Sequence, residues 1–396
     1  MVGWKGFRGW GVLALCCAVL WGCVAEAAPL SALKEGWGWP VVVLPPEGGW
    51  NSPAGQSVKW ALRTAEREVS LTHQGVHGRD VVFLYAPVDT KEEALKRLPQ
   101  WRAMGAGAIL CFASGDLEAG LIQACAYQGP SLILAGGEER RIRDPKGKPC
   151  PYLFALDLYR NYRANAFAAL AGSQGKELMG ILSDPYAVDL ARTARLSARF
   201  LEKRGVPSRS FWMSGQGDDE MGVRLAEMES SGAGRVICWL GGMGTRSLWK
   251  TAAYYRKSLK VWHGGPYDPL LQGAEGVLYL EQDAPLQERL KAQDALRWNV
   301  LRKTRVRVTD LVLAGKAYAL GHWAIGAFLE AGTNAPAPVA AALARNRDVP
   351  LLGETLSINP GTHRPHQREV GVMRIRKNQP PLRETSLKVT SQGVVE

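Results

Sequence analysis

The stretch "VICWLGGMGTR" spans residues 236–246 and joins an unbroken apolar run to a glycine-rich loop. An apolar run without polar alternation is typical of a strand that is buried on both faces, as in a parallel sheet. The loop allows two hypotheses, a phosphate cradle for a dinucleotide or one wall of a cleft that holds another ligand. Because the glycines do not follow the G-x-G-x-x-G spacing, the sequence favours the second hypothesis.

The same pattern recurs along the chain, where apolar runs alternate with segments of helical periodicity. Ser52 as N-cap and Pro53 at the first helical position predict the start of the first helix. Repeated βα units of this kind indicate right-handed crossovers in an α/β architecture. The predicted strands cover residues 41–44, 80–86, 107–113, 131–135, 177–183, 208–213, 235–240, 259–263 and 276–281.

We therefore expect an α/β fold of two doubly wound parallel-sheet lobes joined by a multi-strand hinge. A helical region over 285–330 and late β-like segments indicate that the chain crosses between the lobes more than once. The predicted first lobe comprises 38–155 and 283–350, the second 156–282 and 351–376, and a C-terminal tail 377–396.

The first 27 residues have the features of a secretory signal peptide. Lys5 and Arg8 precede an apolar stretch, and the small-residue segment "AEAAP" places the expected cleavage after Ala27. Two alternatives stay open, a lipoprotein anchored at Cys23 and a retained membrane anchor, although the apolar run is short for a bilayer span. We expect export and a periplasmic location.

Cysteines and charge exclude several classes of function. Cys111, Cys125, Cys150 and Cys238 could pair in three ways, and the apolar surroundings of Cys111 and Cys238 favour buried free thiols. The net charge of +12 comes from scattered Lys and Arg without a basic stripe with interleaved aromatics, so we expect no nucleic-acid partner. A weaker affinity for an anionic ligand or the membrane surface stays open.

The loops after the predicted strands are the expected ligand-binding positions, because ligands bind beyond the carboxyl ends of parallel strands. Trp50, Tyr186 and Tyr267 lie in these loops, where an aromatic ring can stack on an apolar ligand group. Motifs of hydrolases, metalloproteases and nucleotide-binding loops are absent from the sequence, so we expect no enzyme, cofactor or metal.

Five segments together resemble the branched-chain amino-acid-binding family of type I periplasmic binding proteins, over residues 38–376. They are "SPAGQSVKWALRTAEREV" (52–69), "GVHGRDVVFLYAP" (75–87), "AEGVLYLEQDAP" (274–285), "AYALGHWAIGAFLEAGTNAPAPVAAALARN" (317–346) and "GETLSINPGTHR" (353–364). The resemblance implies a two-lobed fold that closes on a ligand.

The resemblance also implies ligand-binding positions. Ser114 matches a serine that donates its hydroxyl to a carboxylate, and Trp50 and Tyr186 match aromatic positions. The sequence departs from the family at Gly136, Gly137 and Met243, which replace a hydroxyl-bearing segment and an aromatic residue, and Asp268 stands close to an expected glutamate. The expected ligand-binding set is Trp50, Ser114, Gly136, Gly137, Tyr186, Met243, Tyr267 and Asp268.

We expect a monomeric, non-enzymatic solute-binding protein of an ABC transporter. Its expected ligand is a small polar or amphipathic molecule, an amino acid or a related carboxylate or amide, delivered to a permease in the inner membrane. Ser114 would donate to an anionic group or cap a helix, and Asp268 would pair with a cation. The alternative is a ligand-sensing or regulatory protein of the same fold that acts on a membrane receptor or envelope complex.

Overall fold

A computed structural model describes most of the chain after residue 37. The described residues are 38–73, 75–136, 142–158, 162–213, 217–254, 259–265, 267, 269–271, 273–282, 310–351, 354–390 and 394–395. The predicted signal peptide, with Cys23, and the candidate residues Gly137 and Asp268 lie outside these ranges. Among the described helices, none has the length and apolar character needed to cross a membrane.

Strands and helices alternate through most of the described sequence. The strands are β1 (Gly38–Leu44), β2 (Asp80–Tyr85), β3 (Ala108–Cys111), β4 (Ser131–Leu134), β5 (Leu153–Ala155), β6 (Met179–Ser183), β7 (Ser208–Trp212), β8 (Arg235–Trp239), β9 (Lys260–His263), β10 (Leu278–Glu281), β11 (Val349–Leu351), β12 (Glu354–Leu356), β13 (Ile358–Asn359), β14 (Arg364–Pro365), β15 (Gln367–Arg376), β16 (Gln379–Thr390) and β17 (Val394–Val395). The helices are α1 (Pro53–His73), α2 (Lys91–Ala103), α3 (Gly115–Cys125), α4 (Tyr162–Ser173), α5 (Val188–Lys203), α6 (Asp218–Ser230), α7 (Gly242–Tyr254), α8 (Leu311–Ala331) and α9 (Pro336–Arg345).

The chain divides into two compact units. The first unit holds the described residues of Met1–Ala135, Pro149–Phe154 and Val308–Val349. The second unit holds those of Gly136–Lys148, Ala155–Arg307 and Pro350–Glu396. The described residues 136 and 142–148 thus group with the second unit, whereas the sequence placed them in the first lobe.

The sheet that begins in the first unit has the strand order β2-β1-β3-β4-β5. β1 pairs in parallel with β2 and β3, and β3 pairs in parallel with β4. Val41, Val42 and Val43 of β1 are fully buried, although successive side chains point to opposite faces of the sheet. Helices therefore cover both faces, as the unbroken apolar runs predicted.

The second unit contains an eight-stranded sheet with the order β17-β16-β15-β10-β9-β8-β6-β7. β6 to β10 pair in parallel, and β15 and β16 add antiparallel strands. Side chains of β8 alternate between two cores, since Ile237 packs with Phe167 of α4 while Val236 packs with Leu248 of α7. This arrangement is the doubly wound layering expected from the sequence.

The predicted C-terminal tail over 377–396 is wrong, because β16 pairs with β15 along nearly its whole length. Val389 of β16 is fully buried in the core of the second unit. Arg374 and Glu384 form an ion pair across the two strands. Pro380 and Pro381 have no partner in the β15–β16 register, which shifts between Arg374 and Arg376.

The four cysteines of the described chain are buried, and Cys111 and Cys238 are free thiols, as the sequence favoured. Burial raises the pKa of Cys111 and of Cys125 from 9.0 to about 12, and that of Cys238 to about 11. Buried, protonated thiols of this kind are unreactive.

We predict that N-ethylmaleimide leaves Cys111, Cys125 and Cys238 unlabelled in the native chain at about pH 8, and labels all three after unfolding.

The same thiols make the free energy of unfolding fall as the pH rises above 9.0. The unfolded chain then loses protons that the folded chain keeps, at a cost of about 1.4 kcal/mol per pH unit and thiol. Peptide mass mapping and urea unfolding measure the two effects, and native labelling of Cys238 would contradict the prediction.

Candidate functional site

The first unit carries Trp50 and Ser114 in the loops that follow β1 and β3. These two strands are parallel neighbours, so their carboxyl ends lie at the same edge of the sheet. The topology therefore brings both predicted residues to one edge of the first unit.

Trp50 is held in place by three contacts. Its Nε1 donates a hydrogen bond of 2.7 Å to the carbonyl oxygen of Ala86, which follows β2. The ring of Tyr85 meets the indole edge-on, with 5.1 Å between the centroids, and Lys59 Nζ lies 5.4 Å from the indole centroid. Trp50 thus fixes the loop after β1 to the end of β2, and it brings an ammonium group to this edge.

Lys59 is a candidate residue that the sequence reasoning missed. Its Nζ also lies 5.7 Å from the centroid of Tyr85, so two aromatic rings hold the ammonium. The position of Lys59 two turns inside α1 gave no signal, because only the folded chain brings it against residues 50 and 85.

The loop before α1 depends on glycines and on a helix cap. Ser52 Oγ accepts a hydrogen bond of 3.0 Å from the backbone N–H of Gly55, which confirms Ser52 as N-cap and Pro53 as the first helical residue. A Cβ on Gly55 would lie only 2.3 Å from the carbonyl oxygen of Gly49. The glycine at position 55 is thus required by the close approach of two backbone segments.

Ser114 occupies the N-cap position of α3 in an extended conformation, but its hydroxyl makes no capping hydrogen bond. The side chain is exposed, and Gly115 beside it has a φ of +69°. Ser114 lies at the helix start, as the capping hypothesis placed it, but the capping hydrogen bond is not made, and its role as a ligand donor stays a prediction. The hydroxyl itself is not used by the helix.

Gly136, two residues after the end of β4, lies beside Asp157 within the second unit. A Cβ on Gly136 would be 3.5 Å from Asp157 Oδ2. Asp157 Oδ1 forms an ion pair of 3.4 Å with Arg368 Nη1, and its carbonyl oxygen accepts a hydrogen bond from Arg364. Both arginines are almost fully buried, at 1% and 2% exposure. The sequence reasoning missed these three charged residues because β14, β15 and the segment before α4 meet only in the folded unit.

In the second unit, Tyr186, Met243 and Tyr267 follow β6, β8 and β9. These strands are parallel and adjacent in the order β9-β8-β6, so the three residues come from the same edge of the sheet. Their exposed fractions are 78%, 60% and 39%. Large apolar side chains so exposed along one edge are typical of a binding surface.

The three side chains are held to different degrees. Asp184 Oδ1 accepts a hydrogen bond of 2.8 Å from the backbone N–H of Tyr186, which fixes the turn while the phenol stays exposed. Tyr267 packs against the buried ring of Tyr279 at a centroid distance of 5.4 Å. Met243 lies in the first turn of α7 with flexible rotamers available to it.

Below these exposed groups lies a fully buried chain of hydrogen bonds. Cys238 Sγ lies 3.3 Å from Thr245 Oγ1, which lies 3.0 Å from His263 Nδ1. Cys238 of β8 pairs with His263 of β9 in the parallel register, and Thr245 lies in the first turn of α7. The chain thus joins two strands to the helix that begins in the loop 241–245.

The glycines of these loops permit packing. A Cβ on Gly264 would lie 2.3 Å from the ring of Trp239, and one on Gly265 would lie 2.7 Å from His263 Nε2. A Cβ on Gly244 would lie 2.9 Å from that of Leu240. Close contacts with neighbouring side chains therefore account for Gly244 of "VICWLGGMGTR" and for Gly264 and Gly265 of the following loop, whereas a Cβ on Gly241 would meet no atom within 4 Å. A phosphate-binding role is not needed to explain the three glycines with close contacts.

We predict that Thr245→Val lowers the free energy of unfolding by about 1–3 kcal/mol, because the substitution leaves buried polar groups of Cys238 and His263 without their hydroxyl partner. Urea-induced unfolding measures the change. Thr251→Val is the matched control in the same helix, since Thr251 is also a buried residue and its hydroxyl makes no hydrogen bond to the described residues. Equal effects of the two substitutions would show that the chain of hydrogen bonds contributes nothing.

No cluster of His, Cys, Asp and Glu within the described residues could hold a metal ion. Comparison of the sequence with protein-family models and with curated proteins gives no match. Solved structures, however, match over nearly the whole fold.

Three of these structures illustrate the likeness. A branched-chain amino acid ABC transporter periplasmic ligand-binding protein from Burkholderia xenovorans has a TM-score of 0.66 and 16% identity, over 88% of this chain and 95% of that one. A leucine binding protein from Thermotoga maritima has a TM-score of 0.61 and 15% identity, over 88% and 98%. An ABC transporter solute binding protein from R. palustris, in complex with 4-hydroxybenzoate, has a TM-score of 0.59 and 14% identity, over 89% and 96%. The likeness confirms the predicted fold.

Proposed function

We propose that this chain, which has the fold of the type I periplasmic binding proteins, binds a small solute for an ABC transporter. The proposal includes ligand-dependent hinge closure, a periplasmic location, a monomeric state and delivery to an inner-membrane permease. Catalysis is not part of it, because the sequence carries none of the hydrolase, metalloprotease or nucleotide-binding motifs.

The observation that carries the proposal is the exposed apolar edge of the second unit. In the free protein, the side chains of Tyr186, Met243 and Tyr267 expose apolar surface to water. A bound ligand would bury that surface. Burial contributes about 25 cal/mol per Å² of apolar surface. Two aromatic rings and a flexible methionine suit the apolar part of a ligand.

The first unit carries groups that suit the polar part of a ligand. Ser114 offers a hydroxyl that the helix does not use, at the N-terminus of α3, where backbone N–H groups favour an anion. Lys59 adds a positive charge at the same edge of the sheet. These groups support an anionic or amide end, and the ligand we propose is an amphipathic carboxylate or amide.

An amino acid would also need a partner for its ammonium group. Asp268 is the proposed partner, and together with Gly137 it lies outside the described residues. Met243 in place of an aromatic residue and Gly136 in place of a hydroxyl-bearing one favour a ligand that differs from a branched-chain amino acid. The complex of one structural relative with 4-hydroxybenzoate makes aromatic carboxylates a reasonable class to test.

A thermal-shift screen tests the proposal with paired compounds. Each pair holds an amino acid and the carboxylate that lacks its amino group, such as phenylalanine with 3-phenylpropanoate and leucine with 4-methylpentanoate. A ligand at a hundredfold its Kd should add about 2.7 kcal/mol to the free energy of unfolding. We expect stabilisation by at least one carboxylate. No shift with any compound would contradict the proposal and favour the regulatory alternative.

We predict that Tyr186→Ala weakens the binding of that ligand by about ten- to a hundredfold, because the ring contributes apolar contact area. Tyr127→Ala is the matched control, since Tyr127 is also strongly exposed, at 64%, but follows α3 at its opposite end. Titration calorimetry measures both. An unchanged Kd for Tyr186→Ala would remove the second unit's edge from the proposed site.

A further inference from the structure

Helix α5 of the second unit presents a row of cations on one face. Arg192, Arg195, Arg199 and Lys203 are all exposed, at intervals of three and four residues. This spacing places them within a narrow arc of the helix, along roughly 16 Å of its axis. The opposite face buries Ala191, Ala194 and Leu201 against the sheet.

The neighbouring strand β7 adds an aromatic ring to the row of cations. β7 is the last strand of the sheet, and α5 packs against it and against β6. Trp212 is exposed on β7, and the guanidinium of Arg195 lies 5.9 Å from the centroid of its ring. Arg209 lies on the other face of β7, where its guanidinium is 5.7 Å from the centroid of Phe211. We call the four α5 cations together with Trp212 the basic face.

The cations of the basic face form no salt bridge within the part of the chain that the structure describes. Glu202 is exposed on the same helix, but it does not pair with any of them. The helix sequence holds two acidic residues, Asp189 and Glu202, against these four cations. The excess of positive charge gives a local field that attracts anions.

We propose that the basic face binds the anionic phospholipid headgroups of a membrane surface. Guanidinium groups match phosphate geometry with two hydrogen bonds each, and three of the four cations are arginines. An exposed Trp beside them suits the headgroup region, where aromatic rings are enriched. A row along an exposed helix can contact many headgroups at once, and each cation contributes about a fivefold gain in the binding constant.

The inference does not rest on the proposed solute binding, because the basic face contains none of the candidate ligand residues. An acidic protein surface is the competing occupant. It would use the charge equally well, but it gives no reason for an exposed Trp held by an arginine at the end of the row.

The test is co-sedimentation of the full chain with vesicles. One set contains phosphatidylcholine with about a third phosphatidylglycerol, and the other contains phosphatidylcholine alone. We expect binding to the anionic vesicles only, and a loss of binding as salt rises, because the Debye length shortens from about 10 Å at 0.1 M toward 3 Å at 1 M.

Three variants make the result specific. Arg192→Glu/Arg195→Glu/Arg199→Glu should weaken vesicle binding by about a hundredfold or more, and the corresponding triple Lys variant should keep most of it. Lys96→Glu/Arg347→Glu/Lys388→Glu gives the same change in net charge elsewhere and should keep most of the binding. Circular dichroism and a thiol-labelling pattern like that of the parent chain establish that each variant is folded.

Three results would overturn the inference. They are absence of binding to anionic vesicles, equal binding to both vesicle types, and equal losses in the two charge-reversal variants. The first would leave an acidic protein surface as the occupant of the basic face. The third would assign the attraction to net charge.

Discussion

Parallel strands with both faces covered by helices are the constraint on which the rest of this structure depends. When every side chain of β1 or β8 is buried, the strands themselves cannot offer polar groups to a ligand. Polar and exposed chemistry then collects in the loops at the carboxyl ends. For this reason Ser114, Tyr186 and Met243, which are far apart in sequence, each lie shortly after a buried strand. Each is either in the loop after that strand or in the first turn of the next helix.

The same constraint explains the glycines. Loops that must turn from a buried strand into a helix pass close to the large side chains at the strand ends. Trp239 and His263 fill the space that a side chain on Gly264 or Gly265 would need. Gly264 and Gly265 are therefore required by the tight packing of the side chains at the strand ends. Such glycines would occur equally in a nucleotide-binding protein and in a solute-binding protein.

Charge is distributed in two ways within the second unit. Arg364 and Arg368 are buried around Asp157, where pairing offsets the cost of removing them from water. The arginines of α5 are exposed and unpaired within the described chain, and they act on what surrounds the protein. The net charge of +12 does not show this difference, because it counts buried and exposed arginines alike.

The sequence by itself determined the layered fold. The period of its apolar residues located the nine predicted strands, and Ser52–Pro53 located the first helix start, because these signals depend on neighbours within a few residues. Only the tertiary structure decided which side chains meet. The ammonium of Lys59 between Trp50 and Tyr85, the chain from Cys238 through Thr245 to His263, and the pairing of β16 in place of a tail all join separate segments. Contacts of this kind arise from packing between elements, and local periodicity carries no information about them.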